Sequence, residues 1–247
     1  MDLLELIIEF HKDNERQGPG SDEATLKALS YIPLMNEKTK ILDIGCGTGG
    51  QTLILANNTA AQITAVDMLP QFLETLMKKA KENNLLDRIT AKEMLMDNLT
   101  FDKDSFDVIW SEGAIYNIGF EKGLSLWTKY LKDNGFIAVS EISWLTDTRP
   151  EEIQQYWVNT YQEIDTIENK LSVNDRKSYN HCQGRNQKIA QNREKTPVLS
   201  QYIPTCSGKT LSKYKKLTQY RYSQIQKHRP HPLIKKKKKK NKTNSPF

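Results

Sequence analysis

Apolar residues at 3, 4, 7, 8 and 10 recur at helical spacing, which predicts an amphipathic helix at the start of the chain. The stretch Gln17, Gly18, Pro19, Gly20, Ser21 interrupts it. Ser21 is placed to cap a second helix running to about Leu34. Beyond it, short apolar runs alternate with helical stripes. Residues 40–44, 62–67, 88–94, 106–111 and 135–141 read as five strands. Helices are expected after the glycines at 45–50, then over 70–83, 121–131 and 149–161. Strands alternating with helices predict an α/β fold with a doubly wound, mostly parallel sheet, its ligand-binding loops at the carboxyl edge.

The sharpest chemistry lies where the first strand ends. Ile41, Leu42 and Ile44 form a buried-type run, followed by Gly45, Cys46, Gly47, Thr48, Gly49 and Gly50. Glycines spaced in this way allow a tight turn and close approach of a ligand, with the N–H groups of the next helix pointing at it. Gly45, Gly47 and Gly50 satisfy the dinucleotide fingerprint, and Asp67 lies at a suitable distance for a ribose-binding acid. Asp43, two residues before the first glycine, stands where a dehydrogenase usually carries a small or apolar residue. A carboxylate there can organise the turn and face a cationic head group.

Charge divides the chain. Residues 1–167 hold 15 Lys and Arg against 27 Asp and Glu, whereas residues 168–247 hold 21 against 3. Leu, Ile, Val and Phe fill only 12 of those last 80 positions, a composition that predicts a largely unfolded segment. The expected organisation is therefore an N-terminal helical cap over 1–35, a ligand-binding domain over 36–167 and a basic tail over 168–247. The lysines at 235–240 would attract polyanions non-specifically, which limits any nucleic-acid contact to the tail. An abrupt loss of core residues ending in a lysine run is also what a shifted reading frame would produce. No apolar run approaches the roughly 20 residues of a membrane span, and the start lacks a basic leader, so a cytoplasmic location is expected. Cys46, Cys182 and Cys206 show no metal-ligand spacing, and neither do His181, His228 and His231, so no metal is expected.

The pattern Asp43-x-Gly45-x-Gly47-x-Gly49 resembles motif I of the class I S-adenosylmethionine-dependent methyltransferases. Residues 16–25, 111–120 and 139–144 resemble a bacterial group of small-molecule enzymes of the type 11/25 kind, of unassigned substrate. The resemblance covers roughly residues 10–167. It implies a Rossmann-like sheet, with S-adenosyl-L-methionine as cofactor. Asp67 would take the ribose hydroxyls, with Met68 against the adenine; Met96 and Asp97 would line the base. Gln17 and Gly18 would approach the methionine end, beside Cys46. Met94 and Leu95 stand in place of the family's Gly-Asp pair, and Thr100 in place of its proline.

Glu112, which also counts among the expected cofactor contacts, and Tyr116 are the candidate catalytic groups, with His11 a further candidate base. Glu141 and Trp144 could face substrate or simply end the sheet. The absence of an Asn/Asp-Pro-Pro-Tyr signature argues against a nucleic-acid base as acceptor. Expected is methyl transfer to a small-molecule acceptor by in-line displacement. The alternatives are an inactive cofactor-binding remnant and an NAD-dependent oxidoreductase. The family's sheet finishes with an antiparallel hairpin, for which no residues after 167 are suited. Loss of that hairpin would leave the fifth strand an exposed edge.

Overall fold

The computed structural model describes residues 3–170 and 198–200. Two helices, α1 (Leu3–His11) and α2 (Asp22–Leu29), precede the sheet. Its strands are β1 (Lys40–Ile44), β2 (Gln62–Asp67), β3 (Ile89–Glu93), β4 (Phe106–Ser111) and β5 (Leu131–Glu141). Helices α3 (Gly50–Asn58), α4 (Pro70–Glu82) and α5 (Phe120–Trp127) provide the crossovers, and α6 (Glu151–Thr160) follows the sheet. All neighbouring strands run parallel in the order β3-β2-β1-β4-β5. Strand order reverses at β1, between β2 and β4, so the carboxyl end of β1 opens into a crevice.

Side-chain alternation along the strands builds two cores. Ile41, Ile63, Val108 and Trp110 face the layer of α2, α3 and α4, where Ala28, Leu55, Leu73 and Leu76 meet them. Leu42, Ile44, Val66 and Ile109 face α5, which contributes Phe120, Leu124 and Trp127. Both faces being covered explains why β1 and β4 read as nearly continuous apolar runs.

Several boundaries differ from expectation. α2 ends at Leu29, not Leu34; Leu34 is fully exposed and has no face to cover. α5 stops at Trp127, and β5 begins at Leu131 after a 3-10 turn, Thr128–Tyr130. The early part of β5 carries an irregularity: Phe106 pairs with Leu131 but Val108 with Phe136, and Asn134 adopts φ +64°. Gly135 therefore sits within the strand, where a Cβ would lie 2.7 Å from Leu131 Cγ and 2.9 Å from the Asp107 carbonyl.

Two two-residue strands, β6 (Ser143–Trp144) and β7 (Asp165–Thr166), pair beside the main sheet. The last described strand, β8 (Val198–Ser200), pairs parallel to Val139, Ser140 and Glu141. Among the described residues, then, β5 is flanked by a short parallel strand and not by an antiparallel hairpin. Folded contacts also extend past residue 167, since Lys170 is buried. The lysine run and the histidines and cysteines of the tail lie outside the described residues. Among those described, no helix is long and apolar enough to cross a membrane, and no His, Cys, Asp and Glu cluster could hold a metal ion.

Gly49 caps α3 with φ +88°, and a Cβ there would come within 2.2 Å of Leu76 Cδ1, a fully buried side chain with little room to yield. Gly49→Ala should thus lower unfolding free energy by about 2 kcal/mol or more, the sum of a left-handed backbone penalty and overpacking. Urea denaturation of the two proteins checks this; equal midpoints would be incompatible with the packing.

Candidate cofactor site

The glycine turn is suspended from the end of β2. Gly45 and Cys46 both donate their N–H to the Val66 carbonyl, at 2.8 and 3.0 Å. Gly47 N–H donates to Asp67 Oδ2 at 2.9 Å, while Leu69 N–H donates to Oδ1 at 3.0 Å. Asp67 thus couples the turn to the start of α4. Gly45 and Gly47 both have positive φ, at 73° and 57°. A Cβ on Gly45 would collide with the Ala114 Cβ at 2.5 Å, so only glycine lets the two loops approach.

These loops enclose a cavity at the carboxyl edge. Gly45, Cys46, Gly47, Asp67 and Met68 form its floor, Met96 one side, and Glu112, Gly113, Ala114 and Asn117 the wall leaving β4. Gln17 and Gly18 cover it from the N-terminal segment, joined by Arg16 and Pro19; Ile7, Leu69 and Phe72 add apolar surface. Sequence reasoning placed Gln17, Gly18, Gly45, Cys46, Gly47, Asp67, Met68, Met96 and Glu112 together, and the structure brings all nine to this cavity.

Three expected contacts lie elsewhere. Asp43 is fully buried on the α3 side of the sheet, accepting from Thr52 Oγ1 at 2.6 Å and Gln51 Nε2 at 3.2 Å. It anchors the first turn of α3 and does not line this cavity. Gly49 packs on Leu76. Asp97 pairs with Lys122 at 3.1 Å on the surface side of its loop. Met96 is held instead by its own carbonyl, which accepts from Trp127 Nε1 at 2.7 Å.

Glu112 is the node of the lid. Its side chain is 4% exposed and accepts from Arg16 Nη1 at 2.9 Å, Thr25 Oγ1 at 2.8 Å and Trp110 Nε1 at 2.9 Å. Three donors from three parts of the chain make it a strut that ties residues 16–25 to β4. Gln17 completes the closure: its Oε1 accepts from Thr48 N–H at 2.9 Å and its Nε2 donates to Thr48 Oγ1 at 2.7 Å. Thr48 Oγ1 also donates to the Asn14 carbonyl at 2.7 Å. Tyr116 lies outside the cavity wall, its ring edge against Tyr161, and His11 packs on Phe10. Arg16 and Thr25 escaped sequence reasoning. Thr25 carried a readable signal, because it is a polar residue on the apolar stripe of α2 beside Ala28.

Burial sets the protonation of the floor. The Cys46 thiol is pushed well above its ordinary value by burial and by the negative charges of Asp67 and Asp43, so it contributes shape and not nucleophilicity. Burial raises the Asp43 carboxyl to about 7, against the lowering effect of its bonds to Thr52 and Gln51. Between about pH 4 and 7 the folded chain therefore binds more protons at Asp43 than the unfolded chain. Stability from this group is lost as pH rises across that window. Asp43→Asn should gain on the original protein by up to about 4 kcal/mol from pH 4 to 7 and run parallel to it above. Chemical denaturation at several pH values reads the difference; a constant gap between the proteins would contradict the assignment.

Comparisons with known proteins place this geometry. Residues 41–135 match the family described as "Methyltransferase domain". Over 138 residues the chain is 30% identical to a phosphoethanolamine N-methyltransferase of Plasmodium falciparum, an alignment covering 55% of this chain and 50% of that protein. Over 119 residues it is 32% identical to a ubiquinone/menaquinone biosynthesis C-methyltransferase of Citrifermentans bemidjiense, covering 47% and 50%. The chain spans about half the length of these curated relatives. In fold it is similar to an S-adenosylmethionine-dependent methyltransferase from Geobacter sulfurreducens bound to S-adenosyl-L-homocysteine, with TM-score 0.63 and 20% identity over 71% of each chain. Residues 41–135 thus match a methyltransferase domain, and the sheet around the glycine turn has the fold of an S-adenosylmethionine-dependent methyltransferase.

Proposed function

We propose that the chain transfers a methyl group from S-adenosylmethionine to a small-molecule acceptor. The observation that carries this reading is the position of Asp67, whose carboxylate is fixed on the glycine turn at the wall of the cavity. A carboxylate is an acceptor-only group with two oxygens, the chemistry that suits a vicinal diol. The residues present fit the cofactor. Gly45 and Gly47 let the turn lie close under Ala114 and Gln17, where a Cβ on either would collide, and Met68, Met96 and Phe72 offer apolar surface for an adenine ring. When bound, S-adenosylmethionine supplies a methyl group already activated on a sulfonium.

What remains for the protein is alignment and exclusion of water. Gln17 and Pro19 cover the cavity, Ile7 and Phe72 dry it, and Glu112 keeps the cover in place through Arg16 and Thr25. With three donors on its carboxylate, Glu112 serves as a holder of the wall and not as the group that removes a proton. A small acceptor is supported by the names of relatives, among them the phosphoethanolamine enzyme and an erythromycin 3''-O-methyltransferase from Saccharopolyspora erythraea, 30% identical over 113 residues.

Calorimetric titration of S-adenosylhomocysteine, with NADH as comparison ligand, tests the reading. Binding of S-adenosylhomocysteine alone is expected, weakened about tenfold or more by Asp67→Ala, the loss of charge-assisted hydrogen bonds. A thermal melt of the variant separates lost contacts from lost fold. Binding of NADH instead, or of neither ligand by a folded sample, would overturn it.

A further inference from the structure

Away from the cavity, three buried ionisable groups meet at the carboxyl end of β5. Glu141, Tyr161 and Lys170 are 3%, 4% and 4% exposed. Tyr161 O–H donates to Glu141 Oε1 at 2.5 Å; Lys170 Nζ donates to the same oxygen at 2.9 Å and to the Tyr161 hydroxyl at 3.2 Å. The ammonium also stands 4.8 Å from the Tyr161 ring centroid and 5.0 Å from that of Phe120. Among the described residues, the other carboxylate oxygen, Oε2, is buried without a hydrogen-bond partner. Apolar residues of similar volume commonly serve stability as well as a buried ion pair does, so stability alone does not account for this cluster.

Its surroundings do. The Tyr161 ring packs edge-on against Tyr116, 6.3 Å between centroids. Lys170 lies over Phe120, the first residue of α5. Between them, Glu163 Oε2 accepts from Glu121 N–H at 3.1 Å, and a Cβ on Gly119 would come within 2.4 Å of Glu163 Oε1. Residues 161–170 thus bracket the loop 113–119 from behind. That loop's front face, with Gly113, Ala114 and Asn117, is one wall of the cofactor cavity. Ser140, the neighbour of Glu141, accepts from Gly113 N–H at 2.7 Å. The loop begins and ends on glycines of positive φ, 62° at Gly113 and 96° at Gly119, backbone positions suited to hinges.

We propose that Glu141, Tyr161 and Lys170 form a positioning unit that sets the loop 113–119 against the cavity. Cofactor affinity then depends on residues 161–170, which lie beyond the part of the chain that matches the methyltransferase domain. The affinity claim rests on the reading that the cavity holds S-adenosylmethionine; the positioning claim does not. Burial raises the Glu141 carboxyl to about 7, with Glu163 raising it further and Lys170 and Tyr161 opposing. Above that pH the carboxylate is paired with Lys170, and below it the pair gives way to a neutral acid beside an ammonium.

The test uses the full chain, Tyr161→Phe, and the double variant Glu141→Gln/Lys170→Met, which removes both charges together. Amide hydrogen exchange of residues 113–119 is read relative to the amides of β1 and β2, which report global stability. Expected is about tenfold faster exchange in the loop than any change in the two strands, about the worth of a hydrogen bond to a charged group. S-adenosylhomocysteine affinity should fall by a similar factor. In the unaltered chain it should also decline as pH drops through 7, more steeply than in the double variant, which lacks the titrating group. Loop and strand amides that change in parallel, or a loop that does not respond, would overturn the proposal. A loop that responds in a chain that binds no S-adenosylhomocysteine would uphold the positioning role and reject the cofactor reading instead.

Discussion

The register between β1 and β2 is the constraint from which the site follows. Because Ile44 lies opposite Val66, the Val66 carbonyl stands at the point where the chain leaves β1, and two successive N–H groups of the turn converge on it. Asp67, the next residue, then reaches Gly47. A slip of one residue would turn Asp67 towards the opposite face of the sheet and separate the turn from its acid. The cavity floor is thus a consequence of strand pairing, and the glycines permit what the pairing imposes.

Much of this was legible because it is local. The apolar runs of β1 and β4, the glycine spacing and the acid ending β2 each occupy a few consecutive residues. Asp43 was misread in direction, because a strand residue's face depends on which side the following helix packs. Here α3 lies on the Ile41 side and takes the carboxylate with it. Asp97 was drawn away by Lys122, 25 residues later, a partner that no local pattern announces. The fifth strand was read from Gly135, whereas it begins at Leu131, because the irregular stretch between them breaks the alternation that marks a strand. Lys170 sits in a stretch whose composition suggests no core, and its burial follows from one acid on β5.

The cavity at the carboxyl edge draws on more than the part of the chain that matches the family. Its cover comes from residues before 41, and its β4-side wall is braced by residues after 135. Both additions use buried polar contacts: Arg16 and Thr25 on Glu112 in front, Tyr161 and Lys170 on Glu141 behind. Hydrogen bonds of this kind are directional and leave costly unpaired groups if displaced, so they specify one arrangement of loops more sharply than apolar packing would.

The Arg16–Glu112 contact joins residues 96 positions apart. During synthesis the cover emerges before β4, and its tie to Glu112 cannot form until the whole of β4 has followed. Closing so long a loop carries an entropic cost that must be met before the contact is rewarded. The Gln17–Thr48 bonds span only 31 positions, so loop-closure entropy favours the glycine-turn side of the cover over its Glu112 side.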